Sequence, residues 1–199
     1  MSFGDYVGVF VSIILGIAVS DLLMSAHRLI RARSRVEWHW VSPVLALFML
    51  LQVVGTWWAS FQWYRKLGEF TIGAFLPDVA IFVLLFLATA AVLPDEIPEG
   101  RFSLKEYYFR EGPHFWSIMI LWVIVIIVTG IIQMPRGSTV QGAFGFQGVN
   151  ICYVLLMIPL LKTKRAWIHY SVIAILFVFN VIDYLPCVLG RWSSMAAAT

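Results

Sequence analysis

A chain of 199 residues that is 61% hydrophobic and only 13% charged, with a mean hydropathy of +0.86, is too apolar for a water-soluble globule. Its formal charge of +3 and pI near 9.0 come from basic residues gathered between apolar runs, which speaks against nucleic acid and leaves the lipid bilayer as the partner. The longest stretch between runs, Pro94–His114, leaves no room for a soluble catalytic domain.

Six apolar runs follow one another, near Tyr6–Met24, Pro43–Trp63, Leu76–Leu93, Phe115–Met134, Ala143–Leu161 and Trp167–Leu189. A hydrocarbon core about 30 Å thick needs roughly 20 apolar helical residues, so each run has the length of one crossing. The expected fold is all-α, a single domain over residues 1–199 forming a bundle of six transmembrane helices. Arg28, Arg31, Arg33 and Arg35 follow the first run, Arg101, Lys105 and Arg110 the third, and Lys162, Lys164 and Arg165 the fifth. Only Arg65, Lys66, Arg136 and Arg191 fall on the other side. The positive-inside rule then places the connections after runs one, three and five in the cytoplasm and both termini outside. The first run has neither a basic leader nor a small-residue cleavage site, so it reads as a span and not a signal peptide. The economy of length suggests a bacterial inner membrane.

In the first run Gly4, Gly8, Ser12, Gly16 and Ser20 recur every fourth residue. On a helix they form one ridge of small side chains, open to a neighbouring backbone or to the same ridge of a second copy, which makes a homo-oligomer through this helix an expectation. Beside the ridge stands Asp21, with Ser25 and Arg28 following on the same face. The trio is either a structural Asp–Ser–Arg pairing or a protonatable, cation-binding group on a pathway. Asp183, with Asn180 three residues earlier, is its counterpart in the opposite leaflet. Gln52 and Thr56 in the second run, Gln133 in the fourth and Asn150 in the fifth offer further polar lining.

Asp5 and Asp78 each fall in an expected first helical turn at the outer surface, where a carboxylate complements the helix dipole, and both read as caps. Pro43, Pro77 and Pro113 read as helix starts. The Pro94–His114 connection reads as a loop whose Tyr107, Tyr108 and Phe109 lie on the membrane in a short helix. In the fifth run Gly142, Gly145 and Gly148, interleaved with Gln141, Gln147 and Asn150, point to an outer loop or to a late, broken helix start. Three runs per half permit an inverted 3+3 repeat, supported only by Phe10-Val11-Ser12-Ile13 against Phe115-Trp116-Ser117-Ile118.

His27, His114 and His169 lie beside spans one, four and six on the cytoplasmic side, and with His39 they are the candidates for a haem, a metal or a pH sensor. No two share an i, i+4 ligand spacing. Cys152 and Cys187, both in the outer half, read as ordinary thiols with a disulfide as the alternative. Nucleophile, zincin and phosphate-loop signatures are absent, which disfavours an enzyme. Three functions follow. The first is a small transporter or channel for a proton, cation or small polar solute, using Asp21 and Asp183. The second is a haem- or metal-binding redox or sensor protein. The third is a non-catalytic subunit working through the ridge.

Overall fold

The structure, a computed structural model, describes residues 3–64, 71–133 and 140–196. It contains six helices: α1 (Phe3–Arg31), α2 (Val41–Tyr64), α3 (Ile72–Ala91), α4 (Leu104–Ile132), α5 (Val140–Lys162) and α6 (Ala166–Ala196). Two short strands, β1 (Val36–Glu37) and β2 (Phe102–Ser103), interrupt them. The chain divides into two compact units, Met1–Lys162 and Thr163–Thr199. α1, α2 and α4 are long and apolar enough to cross a membrane, and shorter apolar helical segments run over Phe75–Ala91, Gln147–Lys162 and Ala166–Ile182.

The first unit is held by seams of apolar side chains at alternating three- and four-residue spacing, the pattern that keeps one helix face on a neighbour. On α1 the buried seam is Val7, Val11, Leu15, Ala18, Leu22, Ser25 and Leu29. It packs against α2 and α3, while α4 packs against α3 and α5. The α4 seam carries Tyr108, Gly112, Phe115, Met119, Trp122 and Thr129. Outside the seams the helices remain apolar: Ile13, Ile17 and Leu23 of α1 are 58%, 55% and 56% exposed. A helix in water would carry polar residues on that face, so this surface is compatible with a lipid surround.

The helices extend past the apolar runs because polar residues suit their ends. Arg28 and Arg31 occupy the last turn of α1, where cations oppose the dipole. α4 begins at Leu104, so half of the connection expected as a loop is helix, and Pro113 lies inside α4 instead of opening it. Pro77 likewise lies inside α3, which starts at Ile72. The glycine-rich start of the fifth run does not break its helix: the α5 backbone is continuous from Val140.

At one end of the first unit the two connections are tied together. β1 pairs in parallel with β2, Val36 opposite Phe102 and Glu37 opposite Ser103, and the Phe102 amide donates to the Arg35 carbonyl at 2.9 Å. Beneath them the Ser25 hydroxyl donates to Asp95 Oδ1 at 3.4 Å, and the Arg28 guanidinium donates to the Asp95 carbonyl. The connections after the first and third runs therefore share one end of the bundle, as the distribution of basic residues requires.

His39 sits at this tied end, between β1 and α2. Desolvation, and secondarily the charge of Lys105, hold its imidazole below the ordinary value of 6.5. The folded state thus binds this proton more weakly than the unfolded chain does. The resulting stability is complete above about pH 6.5 and is lost as pH falls through the lowered folded value. Thermal unfolding in detergent should show a midpoint that drops on acidification, with a shallower drop in His39→Gln. Parallel pH curves for the two proteins would remove His39 as the source.

Candidate functional site

At the opposite end, three seams converge on polar residues. Extended back from Thr89, Leu85 and Phe82, the α3 seam reaches Asp78, which is buried. Extended forward from Met49 and Val53, the α2 seam reaches Tyr64, also buried. The α4 seam runs through Thr129 to Gln133, the C-cap residue, whose amide donates to the Thr129 carbonyl at 2.9 Å. The three side chains meet: the Tyr64 hydroxyl donates to Asp78 Oδ2 at 2.7 Å and Gln133 Nε2 donates to Asp78 Oδ1 at 3.3 Å. Tyr64 is steadied by Phe75, edge-on at 6.1 Å, which in turn meets Phe10 of α1 at 5.8 Å.

Both oxygens of the Asp78 carboxyl are therefore held by neutral donors, and no cation pairs with it among the described residues. Asp78 is a core residue and not a first-turn cap: α3 begins at Ile72, more than a turn before it, and Asp78 lies on the buried seam. Further along the α4 seam, Thr129 Oγ1 and the Trp122 indole nitrogen are buried with no hydrogen-bond partner. Buried polar atoms without a hydrogen-bond partner are uncommon in folded proteins.

A second feature lies beside this cluster. A cleft of about 510 Å3 opens between α1 and α2. Asp5, Gly8 and Ser12 of α1 and Trp57, Phe61 and Tyr64 of α2 are among the residues that line it. The Trp57 indole donates to Ser12 Oγ at 2.9 Å, and Ser12 donates in turn to the Gly8 carbonyl at 2.7 Å. Trp57 and Phe61 stack with centroids 5.8 Å apart and planes 16° from parallel.

The residues singled out from sequence are dispersed relative to this cluster. Gln133 joins it. Asp21 is half-buried on α1 and has no hydrogen-bond or ion-pair partner among the described residues, so the Asp–Ser–Arg pairing does not form: Ser25 and Arg28 turn to Asp95. Asn150 donates to Gln147 Oε1 at 2.7 Å, within α5. Asn180 lies on α6 in the second unit, and the side chain of Asp183 lies outside the described residues. Of the small-residue ridge, Gly4 is buried, whereas Ser12, Gly16 and Ser20 are exposed. A Cβ placed on Gly8 or Gly16 would meet nothing within 4 Å among the described residues of the first unit.

Among the histidines, His27 and His114 are exposed, and His169 Nε2 donates to the Thr163 carbonyl at 2.8 Å. No group of three or more His, Cys, Asp or Glu side chains capable of holding a metal occurs among the described residues. Cys152 is an exposed free thiol, and the side chain of Cys187 lies outside the described residues.

Asp78 and Tyr64 were legible in principle. Four residues before Phe82, Asp78 continues the α3 seam, and Tyr64 stands three turns beyond Val53. The apolar run, taken as the helix, hid that phase. Comparison with known proteins adds no relative: no family model, curated protein or solved structure matches this chain.

Proposed function

We propose that the chain is a six-span integral membrane protein, with both termini outside a bacterial inner membrane, that binds and passes a proton or a small cation. The observation carrying this reading is Asp78, a buried carboxyl held by Tyr64 and Gln133 and by no cation among the described residues. Ionisable groups at such positions are costly in a bilayer and in general serve ion or proton movement. The α4 seam supports the same reading. Gln133, Thr129 and Trp122 place polar atoms along about 16 Å of helix at 1.5 Å per residue, two of them unbonded. Asp21, half-buried and unpaired toward the tied end, is the second carboxylate of the route. Asn150, Asn180 and Asp183 are the contribution expected of α5 and α6.

The test is ion flux into proteoliposomes carrying a pH-sensitive dye, driven by a potassium diffusion potential, with proton, sodium and potassium arms. Wild-type protein should move one of these ions, and Asp78→Asn should bring flux to the level of empty liposomes while keeping the wild-type elution profile. Absence of flux in every arm, or undiminished flux in Asp78→Asn, would overturn the assignment. Asp21→Asn and Asp183→Asn should each reduce flux; wild-type rates in both would take these two residues off the route.

A further inference from the structure

We propose that the β1–β2 tie holds the phosphate of an anionic phospholipid between the guanidinium groups of Arg35 and Arg101. This goes beyond the transport reading, since a lipid seated there requires no ion to cross. The pairing sets Val36 opposite Phe102 in parallel, so Arg35 and Arg101, one position earlier on each segment, stand side by side. The bond from the Phe102 amide to the Arg35 carbonyl, 2.9 Å long, fixes that register. Neighbouring strands lie about 4.8 Å apart, and register partners in a parallel pair share one side. Two guanidiniums distant in the chain are thus brought together, which is destabilising for like charges unless an anion joins them. Gly100 sets the approach: its φ of 114° is a conformation that other residues rarely adopt, and Arg101 follows it directly into register.

The carboxylates of this end do not pair with the two arginines. Asp95 accepts from Ser25 at 3.4 Å and lies 4.0 Å from Arg28, and Glu111 is held by Arg110 at 2.9 Å. Glu37, two positions after Arg35, is exposed and forms no ion pair among the described residues, and the same holds for Glu96 and Glu99. Arg35 and Arg101 are exposed too, and their guanidinium groups make no hydrogen bond or ion pair among the described residues. Their forked donors match phosphate oxygens two at a time. The setting favours a lipid over a free anion. The apolar exterior of α1 continues to Ile30, which is exposed, and Arg31, Arg33 and Arg35 follow it. Trp38 and Trp40, just after β1, are exposed indole rings of the kind that lodge at headgroup level. Apolar helix surface, indole rings and guanidiniums meet here, as acyl chains, glycerol and phosphate meet in a phospholipid.

Native mass spectrometry of the full chain in an uncharged detergent tests this by titration with phosphatidylglycerol and phosphatidylcholine of identical acyl chains. The ionic strength is held at about 0.15 M, where charges more than about 8 Å apart are largely screened. The first phosphatidylglycerol should bind about tenfold more tightly than phosphatidylcholine. Arg35→Gln and Arg101→Gln, both at exposed positions that spare the core, should each weaken it about tenfold, the size of one charge-assisted hydrogen bond. Arg110→Gln, at an arginine already paired with Glu111, should leave it unchanged. Gly100→Ala keeps every charge but strains the approach to β2, so it should weaken phosphatidylglycerol as well, and Glu37→Gln should tighten it. Equal affinity for the two lipids would overturn the proposal, as would undiminished binding in Arg35→Gln and Arg101→Gln. Equal losses in the Arg35, Arg101 and Arg110 variants would overturn it by making the attraction a diffuse field. Displacement of the lipid by millimolar inorganic phosphate would overturn it by making a free anion the occupant.

Discussion

Trp116→Ala should be the most damaging single substitution in the first unit, lowering stability by about 3–5 kcal/mol, the range for removing a buried large aromatic side chain. Trp116 has 0% exposure and sits on α4, the helix that packs against both α3 and α5. Its ring meets Phe115 edge-on at 4.8 Å, and its indole N–H donates to the Tyr108 hydroxyl at 3.2 Å. Alanine removes the ring contacts and that bond together and leaves a cavity behind. In lipid the loss is chiefly one of packing, because hydrocarbon solvates an exposed ring as well as a protein interior does. Trp116→Phe keeps most of the ring and forfeits the hydrogen bond, so its cost should be about 1 kcal/mol. Unfolding titrations of the three proteins in mixed micelles give the comparison. Alanine and phenylalanine variants of equal stability would show that the hydrogen bond, and not the ring, accounts for the effect.

Asp78→Leu should be the next most severe change, because it strands two donors at once. The Tyr64 hydroxyl and Gln133 Nε2 both lose their acceptor in a buried setting, at about 1–3 kcal/mol for each group left unsatisfied. Asp78→Asn should be far milder: its carbonyl oxygen still accepts from Tyr64, and the Gln133 amide can turn its own oxygen to the new NH2 group. Tyr64→Phe removes one donor and leaves Asp78 with Gln133 alone. A double-mutant cycle of Tyr64→Phe with Asp78→Leu should therefore be strongly non-additive, the double variant being little worse than Asp78→Leu by itself. Additive losses would mean that the two side chains stabilise the protein independently, and the cluster would lose its standing as one unit. This ordering also protects the flux experiment, since the asparagine variant that should silence flux is the one expected to keep the fold.

Several features of the molecule follow from residues near one another in the chain. Run lengths and composition are enough for the helical class, for the number of helices and for an apolar exterior, because each depends on a continuous stretch of apolar side chains. The clustering of arginines and lysines is enough to put the connections after the first and third runs at one end, where β1 and β2 join them. Proline and aspartate at the edge of a run were the misleading signals. Pro77, Asp78 and Pro113 stand where apolar runs begin, but helices begin where backbone bonding begins, and α3 and α4 start well outside those runs.

Tertiary packing decided which polar residues matter. Asp78 is surface or core according to the rotation of α3, and the burial of Phe82, Leu85 and Ala88 fixes that rotation where α3 packs against α1 and α4. Ser25 and Arg28 had a local partner available in Asp21, yet they bond to Asp95, some seventy positions away, which the packing of α3 on α1 brings beneath them. The small-residue ridge was plain in the order of residues, but whether it would be closed by a helix or left open depended on where α2 crosses α1. Composition and local spacing settle what surrounds a helix and how long it is; the partners of a buried polar atom come from other helices, and only the phase and crossing of those helices can choose them.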